Sequence, residues 1–370
     1  MSRLFEVSQI NGMQLANRFV RSATWECMAA EDGSCTTKLV ELMTSLAKGG
    51  IGMLITGHAF VRLDGQARPH QLGIYKDELI DAFKDMTHSV HNYDSQIVLQ
   101  ISHGGMFTNP KLIGQTPLAP SKVDILSNSL CREMTNTEIE DIIVAFGQAA
   151  SRAKEAGFDG VQIHAAHGFL LNQFISPAFN HRTDKYGGTV ENRARIVKEV
   201  LKQVRAVVGE TFPILVKLNS QDFIEGGFTL DDSLQAAIIL QENGIDAIEL
   251  SGGTIISGKL SPFRMGTIPE DQEAYYRNEA KALKERLRVP LILVGGIRTF
   301  GVAERLVDEG YADYISMSRP FIREPNLISR WKAGDLRKAK CVSDNGCVKA
   351  VFNEEEVYCM VEKKETEKID

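Results

Sequence analysis

The sequence predicts a single α/β domain, a (β/α)8 barrel (the TIM-barrel architecture) with long loops after its third and fourth strands. Three observations carry that expectation. Short apolar, β-branched runs recur along the chain, each followed by a stretch with helical spacing, the pattern of βα units on a parallel sheet. Eight such runs are found, and no linker or composition break divides the 370 residues into separate units. A chain of this length, 43% hydrophobic and 24% charged, buries enough apolar surface to fold without disulfides or a structural metal.

The expected strands are Phe19–Trp25, Ile51–Val61, Gln96–Gly104, Gly160–Ala166, Ile214–Ser220, Ala247–Gly253, Leu291–Ile297 and Tyr314–Pro320. Between the third and fourth, Thr137 and Glu140 have the spacing of a capping box, and Ile139, Ile142, Ile143, Phe146 and Ala150 follow on one helical face until Gly157 stops it. After Thr189, apolar residues from Val190 to Val208 step by three or four until Gly209 and Pro213. Thr229 and Thr299 open two further helices, stopped by Gly244 and Gly310. The loops Gly105–Asn136 and Gly168–Gly188 exceed what a plain barrel needs, and long loops at the C-terminal face of a barrel build a lid or a binding wall. The tail from Asn353 to Asp370 is rich in charge and reads as a solvated end.

Composition excludes several functions. Forty-two Lys and Arg against 48 Asp and Glu leave a net charge of −6, the wrong sign for a protein that lives on phosphate backbones or anionic lipid. No segment approaches the ~20 apolar residues of a membrane span, and Met1–Phe19 lacks the apolar core of a signal peptide. Six scattered cysteines read as reduced thiols. The expected protein is cytoplasmic, with a small-molecule substrate and neither nucleic acid nor membrane as partner. Whether copies pair into a homo-oligomer is left open.

In such barrels the chemistry gathers where strands end, so polar residues there mark the site. Val294–Gly295–Gly296 and Ser316–Met317–Ser318–Arg319 end the last two strands, offering backbone N–H groups and a fixed guanidinium to a phosphate, although glycines there also serve simply to turn the chain. Gln100 and Lys217 interrupt otherwise apolar runs. A buried ammonium demands an acceptor, supplied either by a ligand or by a strand carboxylate such as Glu249. His164 and His167 lie three apart where the fourth strand becomes a loop. They suit two donors converging on one substrate oxygen, or a metal completed by His58, His103 or Asp222.

Several segments together resemble the old yellow enzyme family of flavin-dependent ene-reductases: Asn17–Arg18–Phe19–Val20, Ala47–Lys48–Gly49–Gly50–Ile51–Gly52, His164–Ala165–Ala166–His167–Gly168 and, above all, Ser176–Gly188. The likeness runs over about Arg3–Glu324. It implies an FMN-binding barrel over 1–335, followed by a C-terminal extension, 336–370, with a degenerate cysteine motif. It further implies non-covalent FMN reduced by NADPH or NADH, which then passes hydride to an electron-poor alkene such as an α,β-unsaturated carbonyl compound. By the same resemblance Ala23, Thr24 and Trp25 would line the flavin, Gly57 would lie beneath it and Gln100 would meet its pyrimidine edge. Lys217 would stand beside N1–C2=O, and Gly295, Gly296, Ser318 and Arg319 would hold the phosphate. His164 and His167 would grip the substrate's activating oxygen, with no metal in the site.

Two positions depart from the family pattern. Its proton donor is a tyrosine two residues past the second histidine, where this chain has Phe169. The proton would then come from water, with Cys27 as a protein alternative, or the oxidant would be a quinone, a nitro compound or dioxygen, which needs no carbon protonated. The second departure is Cys341, Asp344, Cys347 and Cys359, which resembles the iron–sulfur segment of larger relatives but has aspartate where a thiolate belongs. Free thiols are the expectation there. A metal-dependent barrel hydrolase built on His164, His167 and Asp222 is the rival enzyme reading.

Overall fold

The computed structural model describes residues 2–123, 130–266 and 268–367; part of the loop after the third strand and the last three residues of the expected tail lie outside them. Eight parallel strands close on themselves: β1 (Phe19–Arg21), β2 (Met53–Ile55), β3 (Gln96–Ser102), β4 (Gly160–Ala165), β5 (Ile214–Asn219), β6 (Ala247–Ser251), β7 (Leu291–Val294) and β8 (Tyr314–Met317). Closure comes from β8 pairing with β1 in the register Ile315↔Phe19. Helices α1 (Thr37–Lys48), α2 (Ile80–His91), α3 (Asn136–Glu155), α4 (Arg195–Val208), α5 (Leu230–Glu242), α6 (Arg277–Lys284), α7 (Phe300–Asp308) and α8 (Leu327–Lys332) lie between and after the strands.

The first two strands are shorter than their apolar runs suggest. The first ends at Arg21, so Ala23, Thr24 and Trp25 follow it as irregular chain. The second ends at Ile55 and resumes only as a two-residue strand, Ala59–Phe60. The physical reason lies at Gly57, where a Cβ would come within 2.2 Å of the Glu26 carboxylate. Glu26 is itself locked to Arg21 in a buried ion pair of 2.7 Å. Helix α3 also starts two residues earlier than its sequence pattern suggests: Thr135, with Glu138, forms the capping box. Thr229 caps its helix as expected, whereas Thr189 caps only the four residues Val190–Arg193, and the long helix α4 starts anew at Arg195.

The barrel interior follows the strand period of two. Val20, Val98, Leu215, Ala247, Ile292 and Tyr314 form an apolar lower layer, plugged from below by Ile10, Met13 and Leu15 of an N-terminal hairpin. Two residues further along the same strands stand Ser22, Gln100, Lys217, Glu249 and Ser316, joined by Gln162 of β4. The change from apolar to polar between these layers separates the part of the barrel that packs from the part that binds.

The long loops are fastened to one another. Arg182, its side chain 5% exposed, donates to the carbonyls of Pro120 and Met134, to Asn136 Oδ1 and to both carboxylate oxygens of Asp184. Asn180 spans Phe174 O and Tyr186 O. The segment with the strongest family likeness is therefore a clamp joining the third and fourth loops, and none of Ser176–Gly188 lines the cleft.

Beyond α8 the chain returns over the barrel mouth as α9 (Gly346–Phe352) and α10 (Met360–Thr366). Val351 and Val357 pack with Cys27 against Trp25, and Val357 N–H donates to Glu26 O at 2.9 Å. The tail expected to be a solvated end is thus docked at Val357, while α10 remains mostly exposed.

Candidate active site

A cleft of about 1420 Å³, its open mouth included, occupies the C-terminal end of the barrel. The structure brings to its wall Ala23, Thr24, Trp25, Gln100, His164, His167, Lys217, Gly295, Gly296, Ser318 and Arg319. Gly57 stays outside, packed on Glu26, whose carboxylate accepts its N–H at 3.2 Å.

The cleft floor is the polar layer of the barrel, wired as one network. Gln100 donates to Gln162 at 2.7 Å and Gln162 to Glu249 at 2.8 Å. Glu249 also accepts from Ser22 and Ser316, and Lys217 reaches both Ser22 at 2.7 Å and Glu249 at 3.2 Å. Both readings of Lys217 meet here: it lines the cleft and pairs with the strand carboxylate. Burial alone would raise the Glu249 carboxyl, but Lys217 and three hydrogen bonds hold it below its usual value. Gln162 and Glu249 carry the same signal as Gln100, a polar residue inside an apolar run.

His164 is 3% exposed and its Nδ1 has no partner. Burial, then the neighbouring His167, His58 and Lys217, keep its imidazole well below the ordinary histidine range and so neutral at pH 7. His167 is neutral for the same first reason, burial, with Lys217 next. Its ring is 5.4 Å from that of His164, nearly perpendicular, and Nε2 lies 2.7 Å from Ser251 Oγ. A positive φ of 63° at His167 is fixed from behind: Asn219 accepts its N–H, Asn172 accepts that of Gly168, and Asp222 accepts from both asparagines. These three positioning residues had no sequence signal beyond Asp222, and the Asp222 carboxylate is turned toward them and Phe228 N–H. Among the described residues no group of three or more His, Cys, Asp or Glu is arranged to hold a metal ion.

His58, at the end of β2, also lines the cleft; burial lowers its pKa to about 4. Phe169 closes the group, its ring 4.5 Å from His164 and 4.9 Å from His58. No proton is held where the family's tyrosine would stand. Cys27 does not replace it: it lies outside the cleft wall, and burial pushes its thiol up to about 11.

At the far end Gly295 and Gly296 have φ of 133° and 74°, and a Cβ on either would meet the Tyr275 ring within 3 Å. Backbone conformation and Tyr275 packing thus already demand glycine there. Ser318 and Thr24 share a hydrogen bond of 2.7 Å, and Arg319 is held by Arg264 O and Asn345 Oδ1. Arg68, Lys217, Arg298 and Arg319 line the cleft, and among the described residues no Asp or Glu does. Glu249 and Glu273, behind the wall, balance Lys217 and Arg298, while Arg68 and Arg319 have no carboxylate partner among the described residues. α9 adds a wall that sequence reasoning missed, including Cys347, Val351 and Phe352. Cys341, Asp344, Cys347 and Cys359 border a small pocket behind it, beside Arg319.

A positively charged cleft, with buried unpartnered nitrogens at Trp25 and His164, fits a planar ligand rich in acceptors and carrying a phosphate. Fold and site thus define a barrel whose mouth presents a cationic wall and a pair of neutral imidazoles to one cleft. Residues 3–337 match the NADH:flavin oxidoreductase / NADH oxidase family. An NADH oxidase of Thermoanaerobacter brockii is 35% identical over 366 residues, 97% of this chain and 55% of that protein. A cinnamate reductase of Clostridium sporogenes is 32% identical over 97% of this chain and 57% of its own length. The structure of a 2-naphthoyl-CoA reductase in complex with 2-naphthoyl-CoA superposes with a TM-score of 0.90 at 28% identity, covering 97% of this chain and 56% of that one. The chain belongs to the NADH:flavin oxidoreductase / NADH oxidase family, the FMN-dependent oxidoreductases of old yellow enzyme type. It spans about half the length of these relatives. Among the described residues no helix is long and apolar enough to cross a membrane.

Proposed function

We propose that the chain is an NAD(P)H-dependent ene-reductase that passes hydride to an electron-poor alkene conjugated to a carbonyl. The observation that carries this reading is the His164–His167 pair: two neutral imidazoles 5.4 Å apart at the mouth of a cationic cleft, one with a ring nitrogen left unpartnered. FMN, when bound, supplies the two-electron carrier between NAD(P)H and oxidant. Gln100 and Lys217 would meet its ring, Gly296, Ser318 and Arg319 its phosphate, and Ala23, Thr24 and Trp25 its edge. Neutral imidazoles donate hydrogen bonds to an oxygen without drawing in a counter-anion, and such donors stabilise negative charge that develops on the substrate oxygen. Because Lys217 is paired with Glu249, its stabilisation of negative charge is weaker than a lone cation's, which at about 4 Å is worth on the order of 4 kcal/mol before desolvation.

Phe169 gives a second reading its support. With no acid at that position, an oxidant that needs no carbon protonated, such as a quinone or nitro compound, turns over on the same residues; the alkene requires a proton from water. Residues 336–370 serve the 1–335 barrel by walling this cleft, and the working compartment is the cytoplasm. The test is anaerobic: the protein is reduced with NADPH or NADH, then mixed with an enone or a quinone. Reoxidation by the enone supports the first reading, and reoxidation by quinone alone selects the second.

A further inference from the structure

Charge balance inside the cleft isolates Arg68. It follows β2 and Arg319 follows β8, on either side of β1, and both lack a carboxylate among the described residues. Arg319 is accounted for by the phosphate end of the cleft. Arg68 is not. Its guanidinium lies 4.8 Å from the centroid of Phe352, which packs edge-on against Trp25 at 6.1 Å and against Phe263 at 6.4 Å. Burial lowers its pKa with nothing to offset it, and its charge reaches His58, whose ring faces His164 at 6.3 Å. A cation–π contact with a half-exposed ring is a weak return for holding a guanidinium in a cleft wall.

Building on the proposed reduction, we propose that Arg68, backed by Phe352, is an anion subsite that takes a carboxylate or phosphate carried by the oxidant at the end remote from its activating carbonyl. The aromatic collar of Trp25, Phe263 and Phe352 suits a flat conjugated body between the two ends, and guanidinium is the side chain best shaped for either oxyanion. The cleft then reads its substrate at two points: the imidazoles at the reacting carbonyl and Arg68 at the charged tail.

The experiment uses the full chain loaded with FMN and reduced anaerobically with dithionite, mixed in a stopped flow with trans-cinnamaldehyde or 4-carboxycinnamaldehyde. The parent should reoxidise at least about 10-fold more efficiently with the carboxylated aldehyde, the low end for a hydrogen bond to a charged group. In Arg68→Gln that ratio should fall to about one, and Arg68→Lys should keep part of it. An equal ratio in parent and Arg68→Gln overturns the subsite. So does a Gln variant that instead loses discrimination between NADPH and NADH in flavin reduction, because the anion is then the coenzyme's phosphate. Calorimetric titration of the oxidised protein with 4-carboxybenzaldehyde and benzaldehyde reads the subsite without turnover. Arg68-dependent binding of the acid, with neither aldehyde reoxidising the flavin, keeps the subsite and refutes the reduction. Melting temperature and FMN content of each variant identify a folding failure, and Arg68→Lys then decides.

Discussion

His164 and His167 differ in how they are held, and that difference predicts different mutants. His164 projects from β4, its conformation set by the strand, whereas His167 occupies a left-handed turn stabilised by Asn172, Asn219 and Asp222. Replacing either histidine by alanine should lower the rate of flavin reoxidation by an enone about 10²-fold, the usual loss for one oxyanion donor. Asn172→Ala should do part of the same damage indirectly, raising KM more than it lowers kcat. Both imidazoles have pKa values driven well below 6.5, so the oxidative rate should be flat from pH 6 to 8. A bell-shaped profile with a limb near 6.5 would contradict their neutrality. Phe169→Tyr sets a phenol beside His164 and should speed alkene reduction relative to quinone reduction, measured as a ratio in one preparation. Individual site residues were legible where a polar side chain broke an apolar run, as Gln100 and Lys217 do. The tethers of His167 were not, since Asn172 and Asn219 look like ordinary polar residues until the turn brings them under it.

At the level of elements, the signature loop has a mechanical task. Arg182 fastens the third and fourth loops through the buried carbonyls of Pro120 and Met134, which would be left unpaired without it, and through the partly exposed carboxylates of Asp184 and Glu133. Arg182→Met should therefore destabilise the protein by about 3 kcal/mol in urea unfolding, the scale for leaving two buried carbonyls unpaired, while weakening FMN retention only through loosened loops. A cost below about 0.5 kcal/mol would show the clamp to be ornamental. The helices after β3, β4, β5 and β7 were visible in advance because apolar residues repeat at three and four and threonines stand near their starts. Two strands were over-read: Ile51–Val61 is apolar on either side of Thr56–Gly57–His58, but the Glu26 carboxylate against Gly57 forces the chain out of the sheet. Docking of α9 was missed because Val351, Phe352 and Val357 are a sparse apolar set within a charged tail, and only the tertiary surface of Trp25 and Cys27 reveals their partner.

Across the whole molecule, the barrel divides into a packed lower half and a charged upper half, and this has a pH consequence. His58, His164 and His167 are all held neutral, with folded pKa values below the unfolded value of about 6.5. Unfolding therefore takes up protons in acid, and stability present above pH 6.5 is lost as pH falls toward 4. The thermal midpoint should drop on moving from pH 7 to 5, and less steeply in His58→Gln. The net charge of −6 surrounds a cleft with no lining carboxylate among the described residues, so anionic ligands gain from local rather than global field, and their affinity should fall with added salt. The central claim is that this upper half holds FMN poised to accept hydride. An absorbance spectrum of the native protein, followed by anaerobic titration with NADPH and NADH, tests it directly. The account predicts flavin bands that bleach with one equivalent of either coenzyme per bound flavin; a colourless protein, or a flavin that neither coenzyme reduces, would contradict it.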